Sequence, residues 1–105
     1  MSDREIHRPE ADPHEVFLRL SAQRALLGAI GPNVVAVAVS YRGQQIVFQA
    51  WVDTNASPDQ REDLDVAATE IIADFPPDWT LDVAITDGAS DMPPAGLVYL
   101  RRETE

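Results

Sequence analysis

The chain contains no cysteine, which excludes disulfide cross-links, thiolate nucleophiles and cysteine metal sites. It also contains no lysine: all eight basic residues are arginine, a side chain suited to bidentate pairing with carboxylates. Long apolar runs are missing too. The longest extends only from Val34 to Val39, far short of the roughly 20 residues that a membrane helix needs. Met1 to Asp12 mixes Asp3, Arg4, Glu5, His7, Arg8 and Glu10 with a single aliphatic residue, Ile6. That segment lacks the apolar stretch of a secretory signal, so the chain is expected to stay in the cytosol.

What is present fits one globular domain. A chain of 105 residues, 45% hydrophobic, can bury roughly 65% of the surface its unfolded form exposes, enough to fold without a metal or a disulfide. Its net charge is −10, and the charge is concentrated. Asp53 to Asp91 holds eleven acids and one base, Arg61, so this third of the chain carries the whole surplus, while the remainder is neutral. So acidic a chain is a poor match for nucleic acid, whose phosphates demand clustered cations.

Residues 1–11 show no periodicity and are expected to form a mobile tail, leaving 12–105 as a single α+β domain. Asp12-Pro13-His14-Glu15 is a helix start, with a capping Asp, Pro at the first helical position and Glu three residues after the cap. Val16, Leu20, Leu27 and Ile30 recur at helical spacing, with Phe17 and Leu26 widening the apolar face, and Gly31-Pro32 is a stop signal. A helix is expected over 13–30. Val34 to Tyr41 and Gln45 to Thr54 read as a hairpin about Gly43, with Val35, Val37, Val39 and Tyr41 on one face of its first strand.

Ser57-Pro58-Asp59-Gln60 starts a second helix in the same way. Leu64, Ala67, Ala68, Ile71, Ile72 and Phe75 fall within an arc of about 140°, and Asp59, Asp63, Glu70 and Asp74 within about 60° of one another beside it. Pro76-Pro77 ends this helix. Thr80 to Thr86 and Gly96 to Arg102 alternate as strands, Leu97, Tyr99 and Arg101 on one side of the latter, and residues 87–94 between them form an exposed loop. The order α-β-β-α-β-β predicts a four-stranded, largely antiparallel sheet with both helices packed on one face.

No catalytic site is expected. The chain has no nucleophile elbow, phosphate loop, dinucleotide fingerprint or His-Glu-x-x-His. His14 reads as an exposed helix-start residue, not a general base. Asp53-Thr54-Asn55-Ala56-Ser57 opens with calcium-loop spacing. It then places Pro58 where such a loop needs Gly and Leu64 where it needs a bidentate Glu. No metal or other cofactor is expected. General acid–base chemistry needs a carboxyl in apolar surroundings, for which only Glu70 and Asp82 qualify by neighbourhood.

The acidic helix face points elsewhere. Its acids lack an arginine or lysine at i+4, so they repel one another without helix-pair stabilisation. A basic protein partner accounts for that arrangement, since such a surface accelerates association and resembles the phosphates a nuclease-type partner binds. The expected contact residues are Asp59, Glu62, Asp63, Glu70 and Asp74 on the helix, Asp87 and Asp91 in the following loop, and Trp79. Both Trp51 and Trp79 are candidate apolar anchors.

Several short blocks carry a family resemblance: Arg24-Ala25-Leu26-Leu27-Gly28, Gly31-Pro32-Asn33-Val34, Arg61-Glu62-Asp63-Leu64, Ala68-Thr69-Glu70-Ile71-Ile72-Ala73-Asp74-Phe75-Pro76 and Val98-Tyr99-Leu100-Arg101. Over residues 19–103 the chain resembles immunity proteins of contact-dependent growth inhibition and related polymorphic toxin systems. The resemblance implies a cytosolic antidote that binds the toxic C-terminal domain of a cognate effector and blocks its active site. Two other classes stay open on the residues alone. One is a small metal-using carboxylate enzyme, which divalent cations would stabilise against heat. The other is a structural domain that self-associates through a strand edge, which sedimentation would reveal.

Overall fold

The computed structural model describes residues 13–88 and 96–101. The N-terminal tail, the Asp12 cap and Asp91 lie outside the described residues. Helix α1 spans Pro13–Ala25 and tightens into a 3₁₀ turn at Leu26–Gly28. Strands β1 (Val34–Arg42) and β2 (Gln45–Val52) follow, then helix α2 (Pro58–Ala73), β3 (Thr80–Asp87) and β4 (Leu97–Leu100). The fold is α+β with the expected element order.

The sheet runs β3-β2-β1-β4. β1 pairs antiparallel with both β2 and β4, but β2 and β3 are parallel, so the sheet is mixed. The cause is α2: a helix between two adjacent strands returns the chain to the end where it started, which makes the pair parallel. The hairpin closes with Arg42 opposite Gln45, leaving Gly43 and Gln44 to turn, and Gly43 takes φ 61°, which a residue without Cβ adopts freely.

One face of the sheet holds the main core. Val37, Val39, Ile46, Phe48, Ala50 and Val52 are all at or below 4% exposure and pack with Leu64, Ala67, Ala68, Ile71 and Phe75 of α2 and its C-terminal end. Leu81, Val83 and Ile85 extend this face along β3. Fully burying each of the larger side chains contributes roughly 1.5–3 kcal/mol. The apolar arc read on α2 is therefore the buried one. Ser57 caps α2 as expected, its Oγ accepting from Gln60 N at 3.1 Å. The Gln60 side chain does not close the box, however. Its Nε2 donates to Ala29 O at 2.9 Å and ties α2 to the end of the first helix.

Three sequence expectations change. The buried stripe of α1 is Leu18, Ser21 and Ala22, continued by Leu26 and Ala29, whereas Val16, Phe17, Leu20 and Leu27 are exposed. Small residues at 21, 22 and 25 let the helix approach the sheet and α2 closely, which outweighs the larger apolar stripe. Val35 lies on the opposite face from Val37, because β1 is irregular between Val34 and Ala36; an extra residue reverses the alternation before it. β4 bulges likewise: Tyr99 opposes Val37 and Leu97 opposes Ala38. Val98 and Tyr99 thus both pack on the helix side, and Leu97 joins Val35, Ala36, Ala38 and Trp51 in a second apolar cluster.

Candidate functional site

With Leu64, Ala68 and Ile71 turned to the sheet, helical geometry turns Asp59, Asp63 and Glu70 outward along the α1 side of α2. A shallow groove of about 280 Å³ separates the two helices there, with Arg24 and Gly28 on one wall and Asp63, Val66 and Glu70 on the other. Asp59, Glu62, Asp63, Asp65 and Glu70 are exposed and form no ion pair with another described residue. Among the described residues no cation pairs with them: Arg24, on the facing wall of the groove, is hydrogen-bonded to Asp74 instead.

The other acids chosen from the sequence are placed differently. Asp74 caps the C-terminus of α2, where the helix dipole disfavours an anion. It is held there by α1: Asp74 Oδ2 accepts from Ser21 Oγ at 2.6 Å and from Arg24 Nη2 at 2.7 Å. The Ser21 hydroxyl, above all, lowers the Asp74 pKa below its usual value. Partial burial opposes that shift, and the Arg24 hydrogen bond and charge reinforce it. Asp74 is thus a clamp between helices. Asp87 pairs with Arg61, which sits one turn into α2, and so fastens the end of β3 to that helix. Asp53, read first as a would-be calcium ligand, accepts a forked pair from Arg101 at 2.9 and 3.3 Å. The same guanidinium donates to Pro32 O at 3.0 Å, pinning the end of β4.

Both tryptophans are buried in the folded chain. Trp79 is 8% exposed, and its ring lies 4.9 Å from Phe75, 5.4 Å from His14 and 5.8 Å from Tyr41. Trp51 is 3% exposed, in the second cluster. Both are held by the apolar surface they bury. His14 is a helix-start residue that also packs edge-on to Tyr41 at 5.7 Å, a contact invisible in the local sequence.

Glu70 and Asp82 are exposed, so neither sits in the apolar surroundings that an acid–base carboxyl needs. Among the described residues no group of three His, Asp or Glu is arranged to hold a metal ion, and no helix is long and apolar enough to cross a membrane. The large exposed apolar residues of α1, which sequence reasoning assigned to the core, lie instead on the outer surface.

The groove between the two helices is shallow, and its α2 wall carries exposed carboxylates. A family model described as MafI2 immunity protein matches residues 15–103, and the chain belongs to that family. The resemblance read over residues 19–103 therefore holds at the level of family, an immunity protein of a polymorphic toxin system, whose members' role implies binding a cognate toxin protein. No curated protein matches the chain.

Proposed function

We propose that this protein works in the cytosol as a non-enzymatic antidote. In this reading it binds the toxic C-terminal domain of a contact-dependent or related polymorphic effector through the acidic outer face of α2. The toxin is a basic, nuclease-type domain. The observation that carries this reading is the row Asp59, Glu62, Asp63 and Glu70, exposed and without ion pairs among the described residues. Such a row destabilises the free protein slightly, and a cationic partner relieves it. Because these charges are exposed, they act chiefly on encounter: complementary fields raise association rates and are screened by salt.

The test is the triple variant Asp59→Lys, Asp63→Lys, Glu70→Lys, which leaves the Asp74 and Asp87 contacts intact. The probe is the purified C-terminal toxin domain of a cognate effector. At low ionic strength its association rate constant should fall on the order of 10–100-fold, and the salt dependence should flatten. An unchanged association rate and affinity would show that the toxin is met elsewhere.

A further inference from the structure

Helix α1 carries two apolar stripes, and the fold buries only one of them. Leu18, Ser21, Ala22, Leu26 and Ala29 are 0–6% exposed, while Val16 is 43%, Leu20 58% and Leu27 85% exposed. A lone exposed leucine needs no explanation, but a contiguous apolar patch does. Val16, Leu20 and Leu27 lie along one line of the helix at spacings of three or four residues, with Gln23 between the two leucines. Phe17 is not part of that line; its ring packs edge-on to Phe75 at 5.0 Å.

The line runs into an apolar groove of about 270 Å³ formed by Gln23, Leu26, Leu27, Ile30, Val98 and Tyr99. The 3₁₀ turn Leu26–Gly28 separates this groove from the acidic one. Leu26 and Leu27 line the apolar groove, whereas Gly28 lines the groove with Asp63 and Glu70. Leu27 is therefore a ridge with an apolar trough on one side and, on the other, a groove holding Asp63 and Glu70, whose one arginine, Arg24, is engaged by Asp74.

We infer that Leu20, Leu27 and the trough beside them are the anchoring half of the toxin-binding surface, and that they receive an apolar cluster of a partner that is basic around that cluster. Resting on the acidic-surface reading, this assigns separate tasks to the two helices. The acids of α2 set the rate of encounter; the ridge of α1, once water is excluded, sets the lifetime of the complex. The occupant follows from charge. Any surface that covers Leu27 comes up against Asp63 and Glu70, and burying these without cations is costly. A second copy of this chain would bring another net charge of −10 to the contact, whereas arginine or lysine around an apolar centre satisfies both halves.

The experiment compares wild type, Leu20→Ala/Leu27→Ala and the triple lysine variant by binding kinetics against the same effector domain. The leucine variant should dissociate about 30–100-fold faster, with its association rate within about twofold of wild type and its salt dependence unchanged. The unfolding midpoint of the free protein should hardly move, because both leucines are mostly exposed. Wild-type dissociation in the leucine variant overturns the anchor. If the lysine variant still loses association rate, the acidic surface survives that result. If both variants bind like wild type, both readings fall. A wild-type dimer in sedimentation that Leu27→Ala dissociates overturns the anchor as well, by assigning the ridge to a second copy.

Discussion

Replacing Asp74 with Ala separates a structural acid from the exposed acids without ion pairs beside it. Ser21 is 2% exposed and its hydroxyl donates to Asp74; once the acceptor is gone, a buried hydroxyl has lost its partner, which costs about 1–3 kcal/mol. The Arg24 pair adds less than about 1 kcal/mol, because its side chains are 68% and 34% exposed and solvent screens them. Removing an anion from a helix C-terminus returns about 0.3–1 kcal/mol. The net expectation is a loss of about 1.5–2.5 kcal/mol. Urea unfolding reads it directly: with a slope of about 1.5 kcal/mol per molar, the midpoint should fall by about 1–1.7 M. Ser21→Ala in the Asp74→Ala background should cost almost nothing further, so the double-mutant cycle should show strong coupling.

Acid pH provides a second reading of the same contact. The Asp74 pKa is lowered in the folded state, mainly by the Ser21 hydrogen bond. Its ionised form therefore stabilises the protein above the unfolded value of about 3.8, and that contribution disappears as pH falls from there through the lower folded value. The stability gap between wild type and Asp74→Ala should be constant near neutrality and close in that acidic window. A loss below about 0.5 kcal/mol, or additive effects of Ser21→Ala and Asp74→Ala, would refute the clamp.

Two backbone sites offer further checks. Gly96 has φ 83°, and a Cβ placed on it would lie 2.8 Å from Val39 O. Gly96→Ala should therefore cost about 1–3 kcal/mol and speed amide exchange at Val39, whose N–H is held by Gly96 O; unchanged exchange would count against that account. Ser57→Ala removes the α2 cap and should lower stability by about 1 kcal/mol in thermal or urea unfolding, without altering the association rate of the effector domain. A drop in that rate would place Ser57 within the binding surface.

Much of the fold was legible in the sequence because it is local. Ser57-Pro58 begins α2 and Pro76-Pro77 follows its end; the Leu64–Phe75 arc is buried as its spacing implies; the hairpin turns at Gly43. What failed was the choice between stripes on α1. Leu20 and Leu27 are more hydrophobic than Ser21 and Ala22, but the helix buries the side on which Ser21 and Ala22, between Leu18 and Leu26, allow close approach to the sheet and α2. The strand faces of β1 and β4 failed for another reason: one extra residue in a strand inverts the alternation, and nothing in the composition of Val34–Val39 marks where that residue lies.

The candidate site divides along the same line. By itself, the sequence determined that the negative charge is concentrated between Asp53 and Asp91, and that Asp59, Asp63 and Glu70 share a helix face, because charge and helical periodicity are properties of contiguous residues. Only the tertiary structure decided which of the described acids remain without an ion pair. Arg24, Arg61 and Arg101 lie 50, 26 and 48 positions from Asp74, Asp87 and Asp53, and a pair closed by folding over such separations leaves no periodic signal. The same packing buried Trp51 and Trp79 and turned Leu27 to solvent, since which apolar residues a core accepts depends on the shapes it must fill.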